Sequence, residues 1–298
     1  MAKRIYLCLA HMSGAEQAFI QEAFDTNWVV PLGPNVNGFE DDLRKFVGEG
    51  KEVVALSAGT AAVHLALIAC GVGPGDGVVV QSFTFCASSH PVTYLGARPV
   101  FVDSEKESWN MDPGLLEEAI KDRIAKTGRK PKAIIPVALY GMPYRIDEIM
   151  EIADRYGIPV IEDAAEGFGS RFDGRVLGTF GRYGVLSFNG NKMITTSGGG
   201  ALICPDAASK NEIMFYATQA REAYPYYQHE RIGLDALGIE SRPLWKPMHR
   251  QPVYADCPAY LNGVSESLFK VGLCLPSGPC VTDEDARYIV DGIRSLLL

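Results

Sequence analysis

Short apolar runs alternate with segments of helical periodicity from about residue 53 onward. Two of the intervening segments carry helix-start signals, namely Thr60 before AAVHLALIACG, and Asp112 followed by Pro113 before GLLEEAIKDRIAKTG. A strand–helix–strand alternation favours parallel strands with crossover helices, so the pattern predicts an α/β fold. The apolar runs, which we predict to be strands, are VVAL, GVVVQSF, RPVFVD, KAIIPVAL and IPVIED.

The pattern changes beyond about residue 178, where glycine-rich and then polar, tyrosine-rich stretches replace the alternation. We therefore predict a large domain over residues 1–233 and a smaller C-terminal domain over residues 234–298. The last segment, DEDARYIVDGIRSLLL, has the spacing of an amphipathic helix. The N-terminal apolar run is too short for a signal peptide, and no later run is long enough to span a membrane. A cytoplasmic protein is expected.

Composition excludes several classes of partner. The 298 residues include 28 basic and 36 acidic side chains, a net charge of -8, which argues against a nucleic-acid groove or an anionic membrane as the main partner. The seven cysteines form no C-x-x-C pair, so neither a zinc site nor a disulfide framework is indicated, and no metal is expected. Any phosphate group must be bound by a local arrangement of residues.

The segment SAGTAAVHLALIACG could bind such a phosphate. It contains no G-x-x-x-x-G-K-[ST] motif, but small residues lead from a strand into a helix that begins near Gly59 and Thr60. Backbone N–H groups at a helix N-terminus attract anions. Close packing of strand and helix is the alternative reason for small residues here.

The segment IPVIEDAAEGFGS brings Asp163 to the carboxyl end of an apolar strand, the edge at which open α/β sheets bind ligands. A carboxylate at this position could hold a protonated ring nitrogen, with Glu166 close enough to reach the same ligand. Alternatively, Asp163 only caps the following turn.

The segment GVLSFNGNKMITTSGGGALIC places Lys192 among small, uncharged residues between two apolar stretches. A cation is unfavourable there unless it has a specific role, although most lysines are solvated surface residues. Together with Asp163 and the Gly59–Thr60 turn, Lys192 meets the needs of pyridoxal phosphate: an amine, a carboxylate for the pyridine nitrogen and a phosphate site. Phe85, in QSFTFCASS, could stack on the ring or belong to the core.

These segments resemble the DegT-type pyridoxal-phosphate-dependent sugar-nucleotide aminotransferases. Within that family, they are most similar to the enzymes of bacillosamine synthesis, which aminate a UDP-linked 4-keto-6-deoxy-N-acetylhexosamine. The resemblance extends over nearly the whole chain, and the segment around Lys192 is its most specific part. It rests on NWVVPLGPNVNGFE, SAGTAAVHLAL, SFTFCAS, VIEDAAEGFGS, GTFGRYGVLSFNGNKMITTSGGGALI, ATQARE and RPLWKPMH.

The resemblance implies a type I aminotransferase fold with a mixed, mostly parallel sheet flanked by helices and a small C-terminal α+β domain. It also implies a homodimer with active sites at the interface, and glutamate as amino donor for bacterial glycan synthesis. Lys192 would bind the cofactor as an imine, Asp163 its pyridine nitrogen and Glu166 would lie near its 3-oxygen. Phe85 would stack on the ring, and the phosphate would be held by Gly59, Thr60 and Ser187. The substrate would contact Asn27, Trp28, Val29, Val30, Arg242, Trp245 and His249.

One departure from the family pattern affects function. Family members continue into a Tyr-Asn-Tyr-Arg-Met motif and most of the small domain, whereas Gly233 here runs directly into LDALGIESRPLW. The family's asparagine in that motif reaches the partner's cofactor phosphate, so the departure affects one phosphate ligand, part of the dimer interface and the core of the small domain. Two alternatives follow: a shortened paralogue that binds without turnover, or a dehydratase of the same family. The dehydratases replace the lysine by histidine, and Lys192 therefore favours amination.

Overall fold

The fold was obtained as a computed structural model, and the structure describes residues 12–30, 32–48, 50–218, 242–243, 247, 250, 262–275 and 281–297. The chain forms two compact units, Met1–Glu222 and Ala223–Leu298. The predicted division after Gly233 falls outside the described residues and stays a prediction.

The first unit alternates helices and strands, as the apolar pattern predicts. All five predicted strands form, and each is followed by a turn or helix. The helices are α1 (Glu16–Asp25), α2 (Pro34–Val47), α3 (Gly59–Ala69), α4 (His90–Tyr94), α5 (Pro113–Thr127), α6 (Ile146–Tyr156) and α7 (Ala207–Ala217). The strands are β1 (Glu52–Leu56), β2 (Gly77–Gln81), β3 (Arg98–Val102), β4 (Ala133–Ile135), β5 (Ile161–Asp163), β6 (Arg171–Phe172), β7 (Arg175–Val176), β8 (Tyr183–Ser187) and β9 (Gly200–Cys204).

Seven of these strands lie side by side in the order β1-β9-β8-β5-β4-β2-β3. Regular pairing joins β1-β9-β8-β5 and β3-β2-β4, and the bridges Ile134↔Val160 and Val137↔Asp163 join the two parts. Strand β9 runs antiparallel to both of its neighbours, whereas all other pairs are parallel. The predicted mixed, mostly parallel sheet is thereby confirmed, and the remaining strands, β6 and β7, form a separate hairpin.

The sheet is buried on both faces because successive residues of each strand enter two different cores. Val79 packs in one cluster with residues of α2, α5 and α6, whereas Val78 and Val80 pack in a second cluster with residues of α3 and α7. Side chains of a strand point alternately to opposite faces, and so an unbroken apolar run fits only a sheet covered on both sides. Each such valine contributes about 1.5–3 kcal/mol through burial.

Among its described residues, the second unit contains a two-stranded antiparallel sheet and two helices. Its elements are β10 (Arg242–Pro243), α8 (Val264–Val271), β11 (Leu273–Cys274) and α9 (Asp283–Leu297), and β10 pairs antiparallel with β11. The predicted C-terminal amphipathic helix is confirmed as α9, which buries Ile289 beside Val281 and Ile293. In the part of the chain that the structure describes, no helix is long and apolar enough to cross a membrane.

The two predicted helix starts have different outcomes. Asp112 caps α5 as predicted, because its carboxylate accepts from Gly114 N at 2.7 Å and from Leu115 N at 3.1 Å. The predicted Thr60 cap is wrong: the N-cap position of α3 is Ala58, two residues earlier, and the helix has no side-chain cap. Small residues let the chain turn directly from β1 into α3 there.

Replacing Asp112 with Ala should lower the free energy of unfolding by about 1 kcal/mol, because two N–H groups of α5 lose their acceptor. Urea denaturation measures this change. As a control, Asp122→Ala removes another carboxylate of α5, paired only with the exposed Lys126, and should cost a few tenths of a kcal/mol. Equal losses in the two variants would contradict the capping role.

Candidate active site

A cavity of about 740 Å³ opens at the carboxyl edge of the sheet. It lies where the chain leaves β1, β2, β4, β5 and β8, and where it enters the antiparallel β9. Parallel strands end at the same edge, and this is why residues far apart in sequence meet there. Three charged side chains line the cavity within the described residues: Asp163, Glu166 and Lys192.

Lys192 lies in the loop between β8 and β9, and its side chain is only 15% exposed. Its Nζ lies 3.1 Å from Glu166 Oε1, so the amine is held as an ion pair at the cavity wall. One glycine of the run after Lys192, Gly200, has a steric reason. A Cβ on Gly200 would lie 2.4 Å from Ala58 C and from Gly59 N, so only glycine lets β9 pass beside the start of α3.

Asp163 ends β5 with its carboxylate buried, the residue being 5% exposed. Its Oδ2 accepts a 2.6 Å hydrogen bond from Ser88 Oγ, and its Oδ1 accepts from Ala165 N at 3.2 Å. Asp163 therefore caps the following turn and also faces the cavity. Burial raises the pKa of this carboxyl, while the bonds from Ser88 and Ala165 and the charge of Lys192 act in the opposite direction.

Gly59, Thr60 and Ser187 lie together at one side of the cavity. A Cβ on Gly59 would lie 3.2 Å from Ser187 Cβ and 3.5 Å from Ser187 Oγ, which places the Ser187 hydroxyl beside the first turn of α3. Since α3 has no side-chain cap, its first N–H groups have no side-chain acceptor. This combination of a helix start and a hydroxyl suits a phosphate group.

Phe85 lines the same cavity and is 72% exposed, which excludes a core position. It precedes a 3₁₀ turn, Cys86–Ser88, whose last residue is the Ser88 that donates to Asp163. One short segment thus supplies both an aromatic face and the partner of the buried carboxylate.

The residues of this cavity fit pyridoxal phosphate. A buried carboxylate with a raised pKa is best satisfied by a cationic donor, and a protonated pyridine nitrogen is such a group. Lys192 offers the amine for the aldehyde, and the uncapped start of α3 with Ser187 offers a phosphate site. The amine, carboxylate, phosphate site and aromatic face all border one cavity large enough for the cofactor and a substrate.

The predicted substrate residues do not join this group. Asn27 follows α1 in a left-handed conformation (φ 58°), and Trp28, Val29 and Val30 line a separate shallow depression. Arg242 lies in β10 of the second unit, with only its backbone described, and Trp245 and His249 lie outside the described residues. Their contact with substrate stays a prediction.

Sequence reasoning missed three residues of this site: Ser88, Tyr140 and Phe83. Ser88 holds Asp163, Tyr140 N donates to Glu166 Oε2 at 2.8 Å, and Phe83 and Tyr140 both line the cavity. The available signal was that Phe83 ends a predicted strand and that Tyr140 and Ser88 follow predicted strands. This signal does not show which strand ends lie next to each other.

Replacing Asp163 with Asn should stabilise the cofactor-free protein at pH 7. Because burial raises the pKa of Asp163, the folded state favours the protonated form, and this carboxyl's contribution to stability is lost as pH rises through that pKa. The neutral amide does not lose stability in this way as pH rises. The stabilisation by Asp163→Asn should therefore shrink as pH falls toward about 4. Urea denaturation at several pH values measures it. Exposed Asp154→Asn is the control, and a pH-independent gain at Asp163 would contradict the argument.

Comparison with known proteins identifies relatives along the whole chain. The EpsN protein of Bacillus subtilis, described as a pyridoxal phosphate-dependent aminotransferase, is 41% identical over 376 positions, covering 99% of this chain and 96% of EpsN. A GDP-perosamine synthase of Caulobacter vibrioides is 30% identical, and the alignment covers 99% of this chain and 99% of that protein. The UDP-2-acetamido-2-deoxy-3-oxo-D-glucuronate aminotransferase of Pseudomonas aeruginosa is 40% identical over 69% of this chain and 55% of its own.

The EpsN alignment has at least 78 positions without a residue in this chain, since 376 positions exceed 298 residues by 78. Among solved structures, a DegT DnrJ EryC1 StrS aminotransferase from Brucella abortus is similar with a TM-score of 0.65 and 29% identity. The match covers 96% of this chain and 99% of that one. This similarity confirms the predicted type I aminotransferase fold.

The model of the DegT/DnrJ/EryC1/StrS aminotransferase family matches residues 11–237 and 232–294. The two matched segments overlap at residues 232–237, which include Gly233. The predicted class of enzyme and the predicted cofactor agree with the relatives. The chain therefore belongs to the DegT/DnrJ/EryC1/StrS aminotransferase family, and it is an aminotransferase that depends on pyridoxal phosphate.

Proposed function

We propose that this enzyme transfers an amino group from L-glutamate to the C4 keto group of a UDP-linked 4-keto-6-deoxy-N-acetylhexosamine. It acts in the cytoplasm, in the synthesis of a bacterial glycan. The observation that carries the amination is the cavity in which the Lys192 amine and the buried Asp163 carboxylate both face one space. A lysine of this kind serves as covalent anchor and as proton carrier.

The roles of the residues follow from their positions. When bound, pyridoxal phosphate supplies an electron sink for the negative charge that develops at the donor's α-carbon. Asp163 would hold its ring nitrogen in the protonated state, Phe85 would cover the ring, and the phosphate would be bound by Gly59, Thr60 and Ser187. Lys192 Nζ, once released by the incoming amine, would take the proton from the donor's α-carbon as a base and deliver it, as an acid, to the cofactor carbon that had carried the aldehyde.

The substrate assignment depends on resemblance and on the relatives. The Pseudomonas relative acts on a UDP-linked 2-acetamido sugar, which supports a UDP-linked acceptor with an N-acetyl group. The Caulobacter relative makes a GDP-linked amino sugar, so a GDP-linked 4-keto-6-deoxyhexose is the competing acceptor. Lys192 favours amination over dehydration, and a chain that binds without turnover is the remaining alternative.

We further propose that the enzyme is a homodimer. An apolar surface around α1 supports this proposal. No residue of α1 is buried, and Ile20, Phe24 and Trp28 line a shallow apolar depression together with Val29 and Val30. An exposed apolar patch of this kind is typical of a protein interface. The predicted substrate residues Trp28–Val30 belong to it, as expected if they serve the partner's active site.

Spectral titration of the enzyme loaded with pyridoxal phosphate should identify both substrates. We expect glutamate to remove the visible band of the lysine-linked cofactor, and the UDP-linked keto sugar to restore it. GDP-linked and dTDP-linked 4-keto-6-deoxy sugars are the matched comparisons, and restoration by one of them would reassign the acceptor. Lys192→Ala should lack the band and all turnover. No response to any donor or acceptor would favour the chain that binds without turnover.

The charge substitution Phe24→Glu should convert the dimer into a monomer, because it places a carboxylate in the apolar patch where Phe24 is 66% exposed. Light scattering after size exclusion gives the mass, with 32.4 kDa for one chain. Phe101→Glu, at a 57% exposed position on β3 outside the patch, is the control and should stay dimeric. A monomeric wild type, or a dimer that survives Phe24→Glu, would be evidence against the interface.

A further inference from the structure

Two amide side chains, Gln81 and Asn110, are fully buried beside the active-site cavity, and the proposed reaction uses neither of them. Gln81 ends β2, and Asn110 lies in the loop between β3 and α5. Their side chains meet, because Gln81 Nε2 donates to Asn110 Oδ1 at 3.3 Å. Buried amides are unfavourable unless they are hydrogen-bonded, and so their partners indicate what they do.

Gln81 joins the loops that follow β2, β3 and β4. Its Nε2 also donates to the Phe83 carbonyl at 2.9 Å, and its Oε1 accepts from Met111 N at 2.9 Å and from Val137 N at 3.3 Å. Every donor and acceptor of this amide is therefore used. Side-chain bonds to backbone groups fix the relative positions of loops that have no regular pairing of their own.

Asn110 holds the turn after β4 at two points. Its Oδ1 accepts from Leu139 N and its Nδ2 donates to the Met142 carbonyl, both at 3.0 Å. Between these points, Tyr140 has φ 53° and ψ 24°, a left-handed conformation that is unfavourable for a residue with a Cβ. Such a conformation persists where the surroundings hold it, and here Asn110 supplies the bonds on either side.

The left-handed turn directs the Tyr140 N–H at the active site. This N–H donates to Glu166 Oε2 at 2.8 Å, and the other oxygen of the same carboxylate contacts Lys192 Nζ at 3.1 Å. A continuous series of contacts therefore leads from Asn110 through Tyr140 and Glu166 to Lys192. Among the described residues that line the cavity, Asp163 and the Tyr140 phenol are the other titratable groups.

We propose that Asn110 and Gln81 are positioning residues that hold the Glu166 carboxylate against Lys192 through the Tyr140 N–H, so that Glu166 stabilises positive charge on the lysine nitrogen. The proposal rests on the proposed role of Lys192 as the lysine that binds the cofactor. Positive charge on that nitrogen makes the linked carbon more susceptible to attack by the donor's amine. Attraction falls with distance, so a carboxylate that lost its N–H partner would stabilise this charge less well.

The test uses enzyme loaded with pyridoxal phosphate and measures the pH at which the visible band of the lysine-linked cofactor is half converted. Glu166→Gln keeps the size and one acceptor but removes the charge, and should lower this midpoint by about 1 pH unit. Asn110→Leu should lower it in the same direction by a smaller amount. Because Asn110 acts through Glu166, the double variant should have the midpoint of Glu166→Gln alone.

A second variant and a control protect the test against a general loss of stability. Gln81→Met has a similar volume and should also lower the midpoint, so it replaces Asn110→Leu if that variant does not fold. Ile134→Ala, fully buried in the adjacent β4, should lower the melting temperature and leave the midpoint unchanged. A midpoint that moves in Ile134→Ala, or additive shifts of Asn110 and Glu166, would overturn the proposal.

Failure of the proposed function has a different signature. If Lys192 does not bind the cofactor, wild type and Lys192→Ala have the same spectrum, and both proposals are wrong. If only the positioning proposal is wrong, a lysine-dependent band is present, and neither the Asn110 nor the Gln81 substitution shifts its midpoint.

Discussion

The buried carboxylate of Asp163 is the constraint on which the rest of the active site depends. It lies at the end of a central strand, where burial raises its pKa, and a folded chain tolerates it only with specific partners. Ser88 donates to one of its oxygens, and Lys192 faces the same cavity. The site is thus incomplete on its own, and a bound cation such as a protonated pyridine completes it. Stability and cofactor binding are opposed at this residue.

The remaining site residues lie at the same edge because the sheet is almost entirely parallel. Strands β2, β4, β5 and β8 end there, and α3 begins there. The one antiparallel strand, β9, enters at this edge and can do so only because Gly200 allows it to pass the start of α3. The buried amides of Gln81 and Asn110 then join the loops that the strands leave unpaired. Backbone topology gathers the groups, and side-chain hydrogen bonds orient them.

The described residues of the cavity and the apolar surface around α1 support different parts of the proposed function. Every described residue that lines the cavity, including the lysine, the carboxylate and the helix start, belongs to the first unit. The two segments of the family match overlap at residues 232–237, outside the described residues. The proposed cofactor chemistry rests on the described lysine, carboxylate and first turn of α3, and the proposed dimer rests on the apolar surface around α1.

Local patterns in the sequence were sufficient for the strands, for the Asp112 cap and for Lys192, Asp163 and the Gly59 turn as candidates. These depend on neighbours along the chain: apolar runs, capping residues and a lysine among glycines. The sequence could not show that Ser88 meets Asp163 across 75 residues, that Tyr140 adopts a left-handed turn, or that α3 starts before Thr60. Such contacts are decided by strand order, since only the assembled sheet determines which loop ends come within hydrogen-bonding distance.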